Sequence, residues 1–588
     1  MGGPTPERAT PRSIAGVKGT PRAFATFDQG GATTATALIA LVEGRWRLLG
    51  SLAGPAAAPA DLLLGLLAER VCGADPDLAE EVGLSPAAAL DLPRLIARSL
   101  VPGTVAVLAA SDRALAPLAT VAARSGWRVR GASAEHHDAQ ALTALLLDPE
   151  ISLVLAGAGD PPGGDERGAL AELGAVVAAA AVRRPELTVV LAGGMAQARS
   201  RFGLPSERAS RMPSPVITAA PGGVDWLPAG WQAAGGVTPD GLASARVRVL
   251  AAPRAAPGSP AWAGLADVLA RLRDDPLDSR RGIAAAVIGL AGALDRRVEA
   301  VEIGFNGGLR AAGAPGRTAG AGSGLAISSA DAALVPPDID DGRLESVQGW
   351  STLPFDRHRL RDRLIELRAA PWSGATGDGA RLRLMAARAA VARLVELSPE
   401  IERGPPPDLL VLAGGAFSSA PAAASLLAIA DVIRRPAAVQ VACDHARLLG
   451  PIGTVEDAAE RDRLLADLAG DLLVPLGAIV MPAGIRTRRR AGRVIVDGPG
   501  GRTSLGLDAG ALEHLPLAAG CHATVLLESA DPVLLGARGR RISVEVAGGV
   551  AGLLVDLRDV PLRLPDRREP RRELLVHWQD RAWPGGER

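Results

Sequence analysis

Residues Phe24–Leu41, FATFDQGGATTATALIAL, decide how this chain folds. A short apolar strand ends at Asp28, the turn Gly30-Gly31-Ala32-Thr33-Thr34 follows, and an apolar run resumes at Ala35. Helix signals arrive only near Pro59, so the loop joins strand to strand. That excludes a dinucleotide-binding turn and a P-loop, both of which open a helix. The turn offers backbone N–H groups and the hydroxyls of Thr33 and Thr34 to a phosphate. Beside it, the Asp28 carboxylate is suited to Mg2+. The bland alternative is a glycine-rich hairpin turn with no ligand.

Working outward, Phe24 to about Leu52 suits three consecutive strands, the third being RWRLLGSL. Leu62, Leu63, Leu66 and Leu67 then fall at helical spacing within Ala60–Val71. Strands over Thr104–Ala109, Ile151–Leu155 and Leu187–Leu191 are continuously apolar, as buried parallel strands are, with a helix at Ala169–Ala181 between the last two. Pro- and Gly-rich sequence at 204–241 reads as a long surface connection, and Ile283–Leu294 as a buried helix. A second strand and turn begins at Val298, VEAVEIGFNGGLRAAG, followed by Gly- and Pro-rich sequence over 311–324. Arg357–Leu367 and Ala380–Leu397 have amphipathic helical patterns. Strand Leu409–Leu412, the turn Ala413-Gly414-Gly415-Ala416 and a helix from about Ser419 come next. Beyond about 470 short alternating strands take over (RVIVDG, ATVLLES, RISVEVAGGVAGLLVDLRDVPLRL), which predicts a separate β-rich module.

The 588 residues are 48% hydrophobic, enough for several domains. Lys+Arg and Asp+Glu are both 64, so no global basic field draws in nucleic acid. Lys18 is the only lysine, in a Pro/Gly-rich segment over 1–20 expected to be disordered. There is no Walker A lysine, no kinase strand lysine and no well-placed Schiff-base lysine. Three scattered cysteines make no disulfide framework and fit a reducing cytoplasm. The apolar runs 282–294 and 472–485 are too short to span a bilayer, so no membrane is expected as a partner.

Several elements, taken in order, resemble the accessory-protein family encoded beside coenzyme-B12-dependent glutamate mutase, called MutL or GlmL and unrelated to the mismatch-repair protein. They are Asp28–Thr34; the strand ends LVLAGAG (153–159) and VVLAGG (189–194), the first introduced by Asp148-Pro149; and LVLAGGA (410–416) with the later Asp444 and LLGPIG (448–453). The C-terminal AGGVAGLLVDLRDVPLRLP resembles the tail of longer members. Asp28–Thr34 by itself is similar to the first phosphate-binding element of the actin, heat-shock chaperone and sugar-kinase ATPase superfamily. The resemblance implies an α/β chain of two actin-like, ribonuclease-H-like halves: residues 21–285, interrupted around 204–241, and residues 286–470, with the β-rich module over 471–588. It also implies ATP and Mg2+ as cofactors, a supporting or reactivating role, and a B12-dependent mutase subunit as partner. In the family the second hairpin repeats the Asp-x-Gly-Gly-Ala-Thr-Thr pattern. Here it reads Glu302-Ile303-Gly304-Phe305-Asn306-Gly307-Gly308, with glutamate for aspartate and no threonine.

The candidate nucleotide residues are therefore Asp28, Gly30, Gly31, Thr33, Thr34, Gly307, Gly308, Gly414, Gly415 and Asp444, with Asp28 on the metal. Gly414 and Gly415 suit close approach to adenosine or a strand-to-helix turn needing positive φ. Asp444 suits Mg2+ or, preferably, a helix cap. Glu302 suits a general base or a solvated turn carboxylate in equal measure. Cys443-Asp444-His445 and Cys521-His522 lack the spacing of a zinc site and read as buried thiols. His136 and His137 read as surface residues, and the arginine run 486–493 as a solvated hairpin arm. The degraded second hairpin predicts nucleotide binding with weak or absent hydrolysis. A small-molecule kinase of the same superfamily and a non-catalytic scaffold are the alternatives.

Overall fold

A computed structural model describes residues 22–158, 166–184, 186–193, 248–251, 260–273, 275–316, 322–371, 376–418, 421–485 and 492–582. The segments 1–20 and 204–241 lie outside the described residues, as do Arg486, Arg488, Arg489 and Arg490. The chain is mixed α/β and packs as two compact units, one of Met1–Val101 with Asp275–Arg588, the other of Pro102–Asp274.

The first unit opens with β1 (Ala23–Gln29), β2 (Thr33–Val42) and β3 (Arg45–Pro55), an antiparallel meander. The helix Ala60–Ala74 follows, and then β4 (Arg94–Arg98), which lies parallel to β1 on its free side. Side chains alternate between the faces of a strand. Ala23, Ala25 and Phe27 accordingly pack on Leu64 and Leu67 of the helix, while Phe24 faces the opposite way, edge-on to Trp46 with ring centroids 5.0 Å apart.

The second unit is a parallel sheet of β5 (Thr104–Ala109), β6 (Arg128–Ser133), β7 (Ile151–Ala158), β8 (Thr188–Gly193) and β9 (Arg248–Ala251), in the order β6-β5-β7-β8-β9. Helices Asp112–Arg124 and Pro260–Arg271 cover one face; Ala139–Leu147 and Glu166–Arg183 cover the other. Apolar residues at both odd and even strand positions are what two covered faces require.

The chain then returns to the first unit with the helix Ser279–Leu294 and a second meander, β10 (Val298–Ile303), β11 (Gly308–Pro315) and β12 (Gly322–Ser329). Both flanking strands enter the 311–324 stretch, despite its glycines. Next to β10 runs parallel β13 (Leu409–Ala413), so the order β12-β11-β10-β13 repeats β3-β2-β1-β4 strand for strand. The sheet continues through β14 (Ala437–Asp444) and β15 (Leu473–Met481). Helix Arg357–Ala369 buries Leu360, Leu364 and Leu367 on this sheet's outer face. Helix Gly377–Leu397 is buried almost all round rather than amphipathic, and its Arg388 sinks into an ion pair with Asp431, 2.7 Å. In place of one helix from Ser419 there are two, Gly415–Ser418 and Ala422–Val432.

Beyond 470 the structure differs from a self-contained module. β16 (Gly492–Gly498), β17 (Gly501–Gly506), β19 (His522–Leu535) and β20 (Ala537–Ala547) form their own antiparallel sheet. However, β15, β18 (Leu512–Leu515) and β21 (Leu553–Asp556) complete the large sheet. The cause is the alternation of β21, whose Leu554 enters the core of the large sheet while Leu553 and Val555 enter that of the small one. Buried Arg558 pairs with Asp431 and Asp556 at 2.7 Å each and ties this strand to the Ala422–Val432 helix.

One core joins the two meanders. Phe24, Ala37 and Ile39 of the first pack with Val298, Ala300, Leu309 and Ala311 of the second, around the helix Ser279–Leu294 and Leu449, Ile452, Leu465 and Leu468. Gly282 of that helix and Gly450 and Gly453 of the helix Leu449–Gly453 meet backbone to backbone, with no room for a Cβ.

Candidate functional site

Period-2 alternation sets the site. Asp28 lies on the face of β1 that carries Phe24, and Glu302 on the face of β10 that carries Val298 and Ala300. Both faces look onto the shared core, so the two carboxylates approach each other where the strands end. The turns beyond them close alike: Gly30 N–H donates to the Thr33 carbonyl at 2.9 Å and Gly304 N–H to the Gly307 carbonyl at 2.9 Å. In both, the donor stands two residues past the carboxylate and the acceptor five past it. The turns meet at their tips. A Cβ on Gly31 would lie 2.8 Å from Asn306 Nδ2 and from Phe305 Cδ1, and Asn306 Nδ2 donates to the Ser99 carbonyl at 3.2 Å.

The first turn of the helix Ser279–Leu294 serves both hairpins. Ser279 Oγ donates to Asp28 Oδ1 at 3.2 Å, and the Arg280 guanidinium lies 4.0 Å from Glu302. Asp444, at the end of β14, receives the N–H groups of Leu448 at 2.8 Å and Leu449 at 3.0 Å. It therefore caps the helix Leu449–Gly453 from upstream, so the cap is the role the structure supplies. Gly414 follows β13 with φ +84°, and its missing side chain leaves room for the Glu302 carboxylate and the Ile303 carbonyl. Gly307, at φ +155°, likewise lies against the Ser329 carbonyl.

Three carboxylates thus share one partly dry pocket of charge. Burial raises the Asp28 carboxyl, against the lowering pull of Arg447 and of its bond from Ser279. Burial, with Asp28 and Asp278 adding to it, raises Glu302 to about 7 against Arg280 and Arg447. Burial also raises Asp444 to about 6, and Asp28 adds to that too. Glu302 has a side chain only 12% exposed and is not the solvated turn residue its sequence allows. Its Oε2 is buried without a hydrogen bond.

In front of these carboxylates lies a cavity of about 360 Å³. Its wall includes Ala32, Thr33 and Ala35 of the first hairpin, Gly304 and Phe305 of the second, and Leu334, Arg383, Gly415, His445 and Arg447. Of the candidate residues, only Thr33 and Gly415 line it. Thr34 is buried on the other side of β2, and Asp28, Glu302 and Asp444 are not among the lining residues. Gly30, Gly31, Gly307, Gly308 and Gly414 shape the turns. Sequence reasoning missed Ser279, Arg280, Arg383 and Arg447. Only Arg447 carries a local signal, three residues past the strand-ending Asp444 and before a glycine-containing helix.

The donor set fits a phosphate: the Thr33 hydroxyl, the guanidinium groups of Arg383 and Arg447, and a wall with no acidic side chain among the described residues. For Mg2+, Asp28 is the carboxylate on the same hairpin as Thr33; it does not line the cavity and takes one bond, from Ser279 Oγ to Oδ1, whereas both oxygens of Asp444 already accept backbone N–H groups. The cysteines Cys443 and Cys521 are free thiols, and burial pushes Cys443 up to about 12. Among the described residues, Asp112, Glu135 and His136 of the second unit stand close enough to share an ion. They are exposed and pair among themselves, Glu135 with the Asp112 N–H at 2.8 Å and His136 with Asp112 at 3.1 Å.

No protein-family model and no curated protein matches the chain. Among solved structures it is similar to nucleotide-free acetone carboxylase, from a study of ATP-dependent acetone carboxylation. That likeness has 11% identity, 74% of this chain, 70% of the other and a TM-score of 0.25. It is also similar to a chain of the PilM–PilN type IV pilus biogenesis complex, with 13% identity, 76% of this chain, 98% of the other and a TM-score of 0.20. At these scores neither likeness carries an argument about the fold. No helix among the described residues is long and apolar enough to cross a membrane.

Proposed function

We propose that this chain is a nucleotide-binding protein built on two actin-like halves, and that it binds ATP with little or no hydrolysis. The observation that carries the reading is the repeated hairpin: two meanders of one topology, closed by the same turn bond, brought tip to tip beside one cavity. In this reading the cavity takes the nucleotide. Thr33, Gly415 and Arg447 stand where a polyphosphate would be held, and Asp28 supplies the carboxylate for Mg2+. The bound Mg2+ would neutralise phosphate charge; the protein's part is to position.

Weak turnover follows from the second hairpin. In-line attack on a γ-phosphate needs the group held from both sides. Here the tips touch, Asn306 fills the gap, and Glu302 is turned back against Gly304 and Gly414 instead of toward the cavity. The same features argue against a small-molecule kinase. The motif order from Asp28 to Gly453 favours a finer reading, an accessory protein whose nucleotide state sets its affinity for a B12-dependent mutase subunit.

Thermal unfolding with and without millimolar Mg-ATP or Mg-ADP tests the proposal. A ligand that binds only the folded state stabilises it, by about 2.7 kcal/mol at a hundred times Kd. The expected result is a raised Tm for the wild type and no shift for Asp28→Ala. No shift in the wild type would leave the scaffold as the better reading.

A further inference from the structure

Arg447 lines the cavity together with Thr33. Its backbone is left-handed, φ +56°, a conformation that side chains other than glycine rarely adopt. The loop holds it there: its N–H donates to the Asp444 carbonyl at 3.3 Å, while the Asp444 carboxylate takes the next two N–H groups. The side chain crosses to the other meander, and Nη1 donates to Thr33 Oγ1 at 2.5 Å. Both partners of that bond line the cavity.

We propose that Arg447 is the phosphate-receiving residue of this cavity, exchanging its bond to the Thr33 hydroxyl for one or two phosphoryl oxygens of the ligand. The proposal rests on the reading of the cavity as a nucleotide site and names the group that recognises the phosphate. A guanidinium is a planar fork of donors that matches phosphate oxygens two at a time, whereas the Thr33 hydroxyl takes only one of its N–H groups and carries no charge. The exchange is therefore favourable when an anion enters. The chain has no lysine beyond Lys18 to do this work as a point charge. The bond to Thr33 Oγ1 places the guanidinium on the cavity wall before the ligand arrives, so less ordering remains to oppose binding.

Titration calorimetry on the full chain separates this inference from the nucleotide reading, with Mg-ADP, adenosine and inorganic pyrophosphate as probes. In Arg447→Ala, pyrophosphate and Mg-ADP should bind at least tenfold more weakly, and adenosine within twofold of wild type. Arg447→Lys keeps the charge among the carboxylates and should fold if the alanine variant does not. Losing the fork alone, it should weaken pyrophosphate several-fold. Pyrophosphate bound by the wild type, with Mg-ADP ignored, would overturn the nucleotide reading and leave the anion-receiving role standing, provided the variants lose it. Mg-ADP and adenosine bound equally by the wild type would overturn this inference and spare the nucleoside part of that reading. Wild-type affinity for pyrophosphate in either variant would overturn the inference outright, as would no binding of any probe by the wild type.

Discussion

Asp28–Thr34 and Glu302–Gly308 have the same turn bond, the same strand neighbours and the same position on one core, yet different chemistry at the tip. The first keeps an aspartate bonded to Ser279 and a threonine on the cavity wall. The second carries a longer carboxylate folded back against its own turn, two glycines where the first has threonines, and Phe305 stacked under the Arg368 guanidinium at 4.3 Å. Under the proposed function, the first turn supplies side chains for binding and the second supplies backbone alone, so turnover should be weak.

Glycine substitutions separate the two turns most sharply. Gly307→Ala in the second turn puts a side chain at φ +155° and 2.6 Å from the Ser329 carbonyl, and should cost about 3 kcal/mol or more in urea unfolding. Gly31→Ala in the first meets only the Asn306 amide and Phe305 ring, which can yield, and should cost about 1 kcal/mol. Equal costs would mean that the two turns are not held as described.

The carboxylates give an intermediate effect. Glu302 titrates at about 7 in the folded protein against an ordinary 4.5. Between those values the unfolded chain has released a proton that the folded chain still holds, so stability is full below about 4.5 and falls as pH rises through 7. Glu302→Gln removes that slope. Its stability relative to wild type should therefore climb by about 1–3 kcal/mol between pH 4.5 and 8, read as the denaturation midpoint at each pH. A flat difference would show that the carboxylate is ionised throughout and solvated, like an ordinary turn residue.

The strands and turns that carry this comparison were legible in sequence because they are local. Alternation shows Phe24–Leu52 as strands, and the glycines mark both turns and the step after β13. Asp444 could be read as a cap, in preference to an ion ligand, because an acid closing an apolar strand more often caps the helix that follows. What was not legible depends on distant pairing. No local pattern tells that β21 joins β15 in parallel, or that Ser279 and Arg280 reach the ends of β1 and β10. Arg447 is one arginine in an arginine-rich chain until the fold carries it across to Thr33. The burial of Glu302 follows from the gap left by Gly414, far away in sequence.

The central claim is that this site holds ATP and does not turn it over efficiently. Single-turnover kinetics test it most directly, with the full-length protein in excess over radiolabelled Mg-ATP and bound label and released phosphate followed together. The account predicts that label stays on the protein as ATP over many minutes, with phosphate appearing slowly if at all, in wild type and Glu302→Gln alike. Rapid phosphate release by the wild type, lost in Glu302→Gln, would contradict it and make Glu302 the working base.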